Sequence, residues 1–122
     1  MRAIVVDDSK AMRSVLRRML AECGVEAIGE ADNGRVALSL LREHADLDLA
    51  LVDRNMPEMD GLEFVRQVRA DSSLAGITIV MVTSETSAES IGEALDSGVD
   101  EYLMKPFTTE ALAEKLALVT GG

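Results

Sequence analysis

Short apolar runs alternate along the chain with longer stretches of mixed character. Five runs are typical of strands, and each is followed by apolar residues at the i, i+3 and i+4 spacing of an amphipathic helix. The predicted strands cover residues 2–7, 26–31, 47–53, 77–82 and 100–104. The first predicted helix, 10–23, begins after Ser9 as its cap and ends at Gly24.

The other four helices are predicted from shorter stripes. Asn33-Gly34 turns into helix two, Asp60 caps helix three, and Gly98 ends helix four. The positions expected to face inward are Val36, Ala37, Leu40 and Leu41 in helix two, Leu62, Val65 and Val68 in helix three, Ile91, Ala94 and Leu95 in helix four, and Leu112 and Leu116 in helix five.

Strand–helix alternation with short connections predicts an α/β fold with a parallel sheet, because such crossovers are right-handed. Strands one and three carry long apolar runs into acids and are expected to be central neighbours, whereas the more polar strand two is expected at an edge. Helices leaving them on opposite faces would open a crevice at the carboxyl ends of the strands, where open α/β sheets bind ligands. The length predicts one domain over 1–122, and Gly121-Gly122 is interpreted as a frayed end or an artificial boundary.

Composition narrows the class of protein. The chain is 48% hydrophobic with 2% aromatic residues, so an aliphatic core is expected. No run reaches the ~18–20 apolar residues of a membrane span, and the N-terminus does not resemble a signal peptide, so no membrane insertion is expected. Cys23 is the only cysteine, which leaves no internal disulfide and favours a cytoplasmic protein. Free cysteines are usually buried, so Cys23 is interpreted as a small core filler.

The net charge of −10 argues against nucleic-acid binding by the domain as a whole. The charges are unevenly distributed, since residues 1–20 hold five of the twelve basic side chains. Residues 85–114 hold one base, Lys105, and eight acids: Glu85, Glu89, Glu93, Asp96, Asp100, Glu101, Glu110 and Glu114. Two interpretations stay open at this point, two solvated faces or two docking faces of opposite character.

Four of the apolar runs end on polar residues suited to phosphate chemistry. They lead into Asp7-Asp8, Asp53, Thr83-Ser84 and Lys105-Pro106. Three converging carboxylates resist ionisation unless a cation compensates them, and Mg²⁺ prefers such oxygen ligands. A carboxylate can attack phosphorus to form an acyl phosphate, and the transition state then needs charge neutralisation above all. Taken alone, Thr83-Ser84 is better interpreted as a strand end with helix-capping hydroxyls. Lys105 alone would be a solvated base, but the proline after it places it on a stiff turn that fixes its direction.

In combination and in this order, the motifs resemble the receiver domains of two-component response regulators, most of all the free-standing chemotaxis members. The resemblance covers essentially the whole chain. It rests on Asp7-Asp8, the segment Asp53-Arg54-Asn55-Met56-Pro57-Glu58-Met59-Asp60-Gly61, Thr83-Ser84-Glu85, and Tyr102-Leu103-Met104-Lys105-Pro106-Phe107. It implies the flavodoxin-like strand order 2-1-3-4-5, which agrees with strands one and three at the centre.

The resemblance also implies the roles of the site residues. Asp53 would be the phosphoacceptor, with Thr83 and Lys105 holding the phosphoryl oxygens. Mg²⁺ would be bound directly by Asp8 and Asp53, through water by Asp7, and by the backbone carbonyl of Asn55. The resemblance further implies that Tyr102 is the switch residue and that the Lys105-Pro106 peptide is cis. Arg54 occupies a position that varies across the family and is aromatic in well-known chemotaxis members.

The implied partners are a histidine kinase or phosphotransfer protein and a downstream protein. The donor would dock on helix one, where Arg13 and Arg17 lie, and the downstream protein on helix four, strand five and helix five. Since no output domain follows helix five, a monomer that signals by docking is expected. A partner on the acidic 85–114 stretch is expected to present basic side chains.

Three alternative functions are less consistent with these residues than a switch. A Mg²⁺-dependent phosphatase or mutase with an aspartyl-phosphate typically carries a second acid two residues after its nucleophile, where this chain has Asn55, and 122 residues leave no room for a substrate cap. A pseudo-receiver would be expected to lack an acid or the lysine, and none is missing. A nucleotide-binding domain of similar topology would need a Gly-rich loop after strand one. The sequence therefore favours a phosphoacceptor signalling protein that catalyses only its own phosphorylation and dephosphorylation.

Overall fold

Five strands and five helices alternate over residues 1–85 and 87–120, which are the residues described by the structure, a computed structural model. The Gly121-Gly122 pair lies outside them. The strands are β1 (Arg2–Val6), β2 (Glu26–Ala31), β3 (Leu49–Asp53), β4 (Thr78–Thr83) and β5 (Glu101–Met104). The helices are α1 (Lys10–Glu22), α2 (Gly34–Glu43), α3 (Gly61–Ala70), α4 (Ala88–Ser97) and α5 (Thr109–Thr120). Each predicted element is present, with ends shifted by one or two residues where they differ.

The strands form one parallel sheet in the order β2-β1-β3-β4-β5, which confirms the predicted fold class and the edge position of β2. The register pairs Val6 with Val52, Asp53 with Val82, and Thr83 with Met104. The carboxyl ends of β1, β3, β4 and β5 therefore meet along one edge of the sheet.

The sheet is covered on both faces, and alternate residues of its central strands enter two different hydrophobic clusters. Val5 and Leu51 pack with α1 and α5 through residues such as Leu16 and Leu112. The opposite cluster lies under α2, α3 and α4; its members include Ile4, Val6, Val52, Ile79, Met81, Phe64, Val65 and Val68. Apart from Phe64 the buried hydrophobic residues are aliphatic, as the composition predicts.

The predicted inner face of α2 is confirmed at Ala37 and Leu41 and wrong at Val36. Val36 is 42% exposed, whereas Leu38, which the prediction left out, is buried. The helix starts at Gly34, so the stripe that meets the sheet is Gly34, Ala37, Leu38 and Leu41, at the i, i+3, i+4 and i+7 positions. In α4 Ala94 is buried as expected, but Leu95 is 48% exposed.

The helix ends follow the predicted capping chemistry. Ser9, Asn33 and Asp60 each accept a hydrogen bond from the backbone N–H three residues on. Gly98 ends α4 with φ +111°, in the left-handed region that favours glycine. His44 caps the end of α2 and is exposed. Cys23 is half-buried against the cluster of α1 and α5, and burial raises the pKa of its thiol.

One long-range contact that the sequence did not predict involves Arg69, near the end of α3. Its guanidinium donates hydrogen bonds to the backbone carbonyls of Ala75, Ile77 and Gly98, at 2.7–2.8 Å, and pairs with Asp100 at 2.8 Å. It thereby ties the connection before β4 to the connection before β5. No helix of the described residues has the length and apolar character needed to cross a bilayer.

Candidate functional site

The edge where the strands end gathers the predicted acids. Asp7 and Asp8 follow β1, and Asp53 is the last residue of β3. One carboxylate oxygen from each of the three lies within 4.8 Å of the others. Asp7 and Asp53 are buried while Asp8 is exposed, so the cluster opens to solvent on one side.

Asp7 is the most deeply placed of these acids, at 1% exposure. Its Oδ1 accepts a hydrogen bond from the backbone N–H of Ser9 at 2.8 Å. Its Oδ2 is buried and accepts no hydrogen bond from the described residues. A buried carboxylate oxygen without a hydrogen bond is unfavourable by about 1–3 kcal/mol or more, so this oxygen is suited to a further cation or hydrogen-bond donor.

Asp53 is 6% exposed and lies beside Lys105, with 3.4 Å between Nζ and Oδ1. Burial raises the pKa of Asp53, and the nearby Asp7 carboxylate raises it further. Lys105 and the backbone N–H of Asn55 act in the opposite direction without cancelling the effect. The anion of Asp53 is therefore held in a site that does not fully compensate its charge.

Lys105 supplies the cation of the cluster. Its Nζ also lies 3.7 Å from Oδ2 of Asp7, so one ammonium group is shared between two carboxylates. The backbone N–H of Lys105 donates to the carbonyl of Thr83 at 2.8 Å, which fixes the start of the β5–α5 connection. The Lys105-Pro106 peptide is cis, as the resemblance predicts.

Thr83 ends β4 with its side chain buried, at 3% exposure. Its Oγ1 accepts a hydrogen bond from the backbone N–H of Glu85 at 3.0 Å. This contact is the local turn that Ser and Thr commonly form, and it leaves the hydroxyl proton available for a second partner.

The loop between β3 and α3 is held against the end of β3 by close backbone packing at Gly61. A Cβ on Gly61 would lie 2.5 Å from the carbonyl oxygen of Asp53, and the N–H of Gly61 donates to the carbonyl of Arg54 at 2.9 Å. Asn55 lies at the exposed start of this loop, and Glu58 adopts a positive φ of 64°. Only glycine at position 61 allows the loop to approach the acid cluster this closely.

Tyr102 lies on the same face of the sheet as Thr83. It pairs with Met81 across β4 and β5, two positions before the Thr83–Met104 pair, and it is half-buried. The ammonium of Lys115 lies 5.0 Å from the centre of its ring, within range of a cation–π interaction. Lys115 also pairs with Glu101 at 3.2 Å.

Sequence reasoning missed the role of Arg54. This residue is 8% exposed, and its guanidinium pairs with Glu85 and Glu93. Two of the acids in the 85–114 stretch are therefore partly neutralised from within the molecule. No local signal marks these contacts, because the partners lie 31 and 39 residues further along the chain.

The basic side of the molecule is also partly paired. Arg13 and Arg17 of α1 both lie against Glu30, at 2.7 and 3.1 Å. Arg13 donates further to the backbone carbonyl of Asp7 at 2.7 Å. Lys10 and Arg18 are the exposed bases of the same helix.

The donor set fits a hard divalent cation. The cluster has three carboxylates and one ammonium, which lies near two of them, and Oδ2 of Asp7 accepts no hydrogen bond from the described residues. Mg²⁺ is bound by oxygen ligands and keeps several waters, which suits a cluster with one exposed acid. The residues at this edge of the sheet are therefore suited to holding Mg²⁺.

Comparison with known proteins matches this chain to a described family. A sequence profile of the response regulator receiver domain matches residues 3–117. The chain is 42% identical over 121 residues to the chemotaxis protein CheY1 of Helicobacter pylori, covering 99% of this chain and 98% of that protein. It is 41% identical to a chemotaxis protein CheY homolog of Campylobacter jejuni, covering 99% of this chain and 93% of that protein.

Solved structures show the same architecture. The chemotaxis response regulator CheY4 of Vibrio cholerae superposes with a TM-score of 0.87 at 36% identity, over 97% of both chains. This chain therefore shares the overall fold of that solved structure.

Proposed function

This chain belongs to the response regulator receiver domain family, and from that premise we propose that it is a phosphorylation-activated switch of chemotaxis-type two-component signalling, with Asp53 as the phosphoacceptor. The observation that carries the proposal is the position of Asp53, buried at a strand end between the ammonium of Lys105 and the carboxylate of Asp7. The proposed receiver unit spans 1–122.

In the proposed reaction a carboxylate oxygen of Asp53 forms a bond to phosphorus while the bond from phosphorus to the donor's imidazole nitrogen breaks. Lys105 and the Thr83 hydroxyl hold the phosphoryl oxygens, the first by charge and the second by its free proton. Asp8 and Asp53 would bind Mg²⁺ directly, Asp7 through water, and Asn55 through its backbone carbonyl. Bound Mg²⁺ supplies positive charge that offsets both the acid cluster and the transferring phosphoryl group.

The same residues support a signalling protein rather than an enzyme that acts on other molecules. Asn55 stands where an aspartyl-phosphate phosphatase typically carries its second acid. The reaction that the cluster supports is then the phosphorylation of Asp53 itself and the hydrolysis of that acyl phosphate.

The proposed phosphodonor is a histidine kinase or phosphotransfer protein that docks on the α1 side of the site. A groove of about 400 Å³ lies there, lined mainly by Met12, Val15, Met19, Pro106 and Phe107, and Lys105 is at its margin. An apolar partner helix in this groove would bring a histidine close to Lys105. Because Arg13 and Arg17 are already paired with Glu30, the exposed Lys10 and Arg18 are better placed to attract an acidic partner.

The proposed downstream surface consists of α4, β5 and α5. It combines exposed acids with exposed apolar side chains, since Leu95 and Met104 are 48% and 41% accessible. A partner with an apolar anchor and basic side chains fits this surface. We also propose a cytoplasmic monomer that neither binds nucleic acid nor inserts into membranes.

The proposal is tested by incubating the protein with acetyl phosphate and Mg²⁺ and measuring the phosphorylated fraction by intact mass. The parent is expected to be modified at one residue, and Asp53→Asn is expected to lose the modification because the amide is not a nucleophile. Asp96→Asn, at an exposed position on α4, is the matched control and should behave like the parent. Equal modification of Asp53→Asn and the parent would show that the phosphoacceptor is another residue.

A further inference from the structure

Arg54, the residue directly after the proposed phosphoacceptor, is a buried cation with an unusually complete set of partners. Its Nε lies 2.8 Å from Oε2 of Glu85, and its Nη2 lies 3.0 Å from Oε1 of Glu93. Its Nη1 donates to the backbone carbonyl of Ser90 at 2.8 Å. All three nitrogens of the guanidinium are thus engaged.

The backbone of Arg54 is fixed as firmly as its side chain. Its N–H donates to the carbonyl of Val82 in β4 at 3.0 Å, and its carbonyl accepts from Gly61 at the start of α3. The side chain therefore extends from a rigid base to the β4–α4 connection and to the first two turns of α4.

These contacts differ from ordinary surface ion pairs, which contribute little. The Arg54 side chain is 10% exposed, and charge-assisted bonds from a planar guanidinium are stronger and more directional than those of exposed, flexible pairs. The two acids are 40% and 49% exposed, so they remain hydrated if the arginine is removed. Loss of Arg54 would therefore free α4 without leaving a buried charge behind.

Arg54 is also connected to the Thr83 hydroxyl. Glu85, which pairs with Arg54, donates its backbone N–H to Oγ1 of Thr83 at 3.0 Å. A continuous series of contacts runs from the Thr83 hydroxyl through Glu85 to Arg54 and then to α4. The pKa of Asp53 is shifted by burial, Asp7, Lys105 and Asn55, so we assign Arg54 a role in position rather than in the charge of the phosphoacceptor.

We propose that Arg54 is a positioning residue that holds Glu85 and the first two turns of α4 in the arrangement of the unphosphorylated protein. The inference rests on the proposed function, because it assigns Arg54 a part in the switch at Asp53. If Thr83 turns toward a phosphoryl group, its contact with Glu85 must lengthen, and the Arg54 contacts oppose that movement. Contacts that stabilise only the free state lower the affinity for any ligand that favours the other state.

The mechanical half of this inference is tested by hydrogen exchange at the α4 amides of the unphosphorylated protein. Arg54→Met is expected to speed exchange in α4 by about 5–30-fold, and Glu93→Gln by less, since it removes the charge from only one of the three contacts. Arg54→Lys keeps the charge but loses the planar guanidinium with its several donors. Its exchange rate in α4 should lie between those of the parent and Arg54→Met. Arg66→Met, at an exposed position on α3, is the matched control and should leave α4 unchanged.

The coupling of Arg54 to the phosphoryl site is tested by a binding titration with beryllofluoride, a mimic of the phosphoryl group, in the presence of Mg²⁺. Arg54→Met is expected to bind the mimic about fivefold more tightly or better, and Glu93→Gln to shift in the same direction. If Arg54 only stabilised the fold, Arg54→Met would lower the unfolding temperature without raising the affinity for the mimic. Glu93→Gln and Arg54→Lys keep the test decisive if Arg54→Met folds poorly.

Parent-like exchange in α4, or faster exchange with unchanged affinity for the mimic, would overturn the inference. Failure of the proposed function has a different signature. In that case the parent itself would neither bind beryllofluoride nor be phosphorylated at Asp53, whatever the exchange of α4.

Discussion

In the proposed reaction Asp53 must be ionised to act as a nucleophile, whereas its surroundings favour the protonated form. Burial and the Asp7 carboxylate raise its pKa, and a single shared ammonium on Lys105 offsets only part of that effect. The raised pKa means that the folded protein holds this proton more tightly than the unfolded chain. The ionised Asp53 is therefore a local source of instability in the folded protein at neutral pH.

This has a measurable pH dependence. Because the folded-state pKa is raised, the stability present below the unfolded pKa of about 3.9 is lost as pH rises through the folded value. Asp53→Asn lacks this loss and is expected to be more stable than the parent by ~0.5–2 kcal/mol at neutral pH. The difference should vanish under acid conditions. Urea unfolding of both proteins across this pH range, with a chelator present, measures it; a parent as stable as the variant at pH 7 would contradict the prediction.

The two acids after β1 are expected to contribute unequally to Mg²⁺ binding. Asp8→Ala should lower the affinity more than Asp7→Ala does, since a ligand acting through water is more easily replaced than a direct one. Loss of an indirect partner typically lowers metal affinity by about 10–100-fold, and loss of Asp8 should exceed that range. Calorimetric titration with Mg²⁺ measures both variants, and equal losses would rule out the asymmetry.

At the scale of the element, the short connections decide how close the acids come. The β3–α3 loop is drawn onto the end of β3 by Gly61, whose missing side chain leaves room for the carbonyl of Asp53. Displacing this loop would move Asn55 and change the direction in which Asp53 leaves its strand.

Gly61→Ala tests this arrangement. The added Cβ would meet the Asp53 carbonyl at 2.5 Å, so the loop must shift, and we expect destabilisation of ~1–3 kcal/mol together with slower phosphorylation by acetyl phosphate. Gly92→Ala in α4 is the matched control, because its Cβ would meet nothing within 4 Å. The control should be neutral or gain up to ~1 kcal/mol. Urea unfolding and the phosphorylation rate distinguish the two, and a Gly61→Ala variant that behaves like Gly92→Ala would contradict this account.

Local patterns were sufficient for most of the elements, since capping residues, turn glycines and apolar stripes act over a few residues. They were not sufficient for the face of α2, because Val36 and Leu38 are both apolar and only the start of the helix decides which one meets the sheet. The acids at the strand ends were predictable because parallel strands align their carboxyl ends. The ion pairs of Arg54 with Glu93 and of Arg69 with Asp100 were not, because these long flexible side chains reach acids more than 30 residues away.

At the scale of the whole molecule, the site and the proposed output surface are linked through one face of the sheet. Thr83 and Tyr102 lie on that face in adjacent strands, with α4 packed beside them. A phosphoryl group that draws the Thr83 hydroxyl toward Asp53 would vacate space next to Tyr102. The ring could then turn inward and change the surface formed by α4, β5 and α5.

Thr83→Ala and Tyr102→Ala test this linkage. Each is expected to lose most of the increase in partner affinity that beryllofluoride produces in the parent, because one variant cannot respond to the phosphoryl oxygens and the other has no ring to turn. The partner is first identified by co-purification with and without the mimic, and its affinity is then measured for each variant. If both variants kept the full increase, the Thr83–Tyr102 coupling would have to be abandoned.

The charge of the output surface leads to a separate expectation. A partner with basic side chains should bind more weakly as salt rises from about 0.1 M to about 1 M, where the screening length falls from ~10 Å to ~3 Å. The same titration gives this dependence, and an affinity that is unchanged or strengthened by salt would point to a mainly apolar contact through Leu95 and Met104.

The order of the strands along the chain also determines when the residues of the proposed acceptor site can come together during synthesis. The acids after the first and third strands are synthesised early, but Lys105, the cation that Asp7 and Asp53 share, follows the last strand. A nascent chain that lacks β5 would hold the clustered carboxylates without the ammonium of Lys105, and pairing between such distant segments is slow. If Asp53 is the phosphoacceptor as proposed, a chain accepts phosphate efficiently only after β5 and Lys105 have joined the sheet.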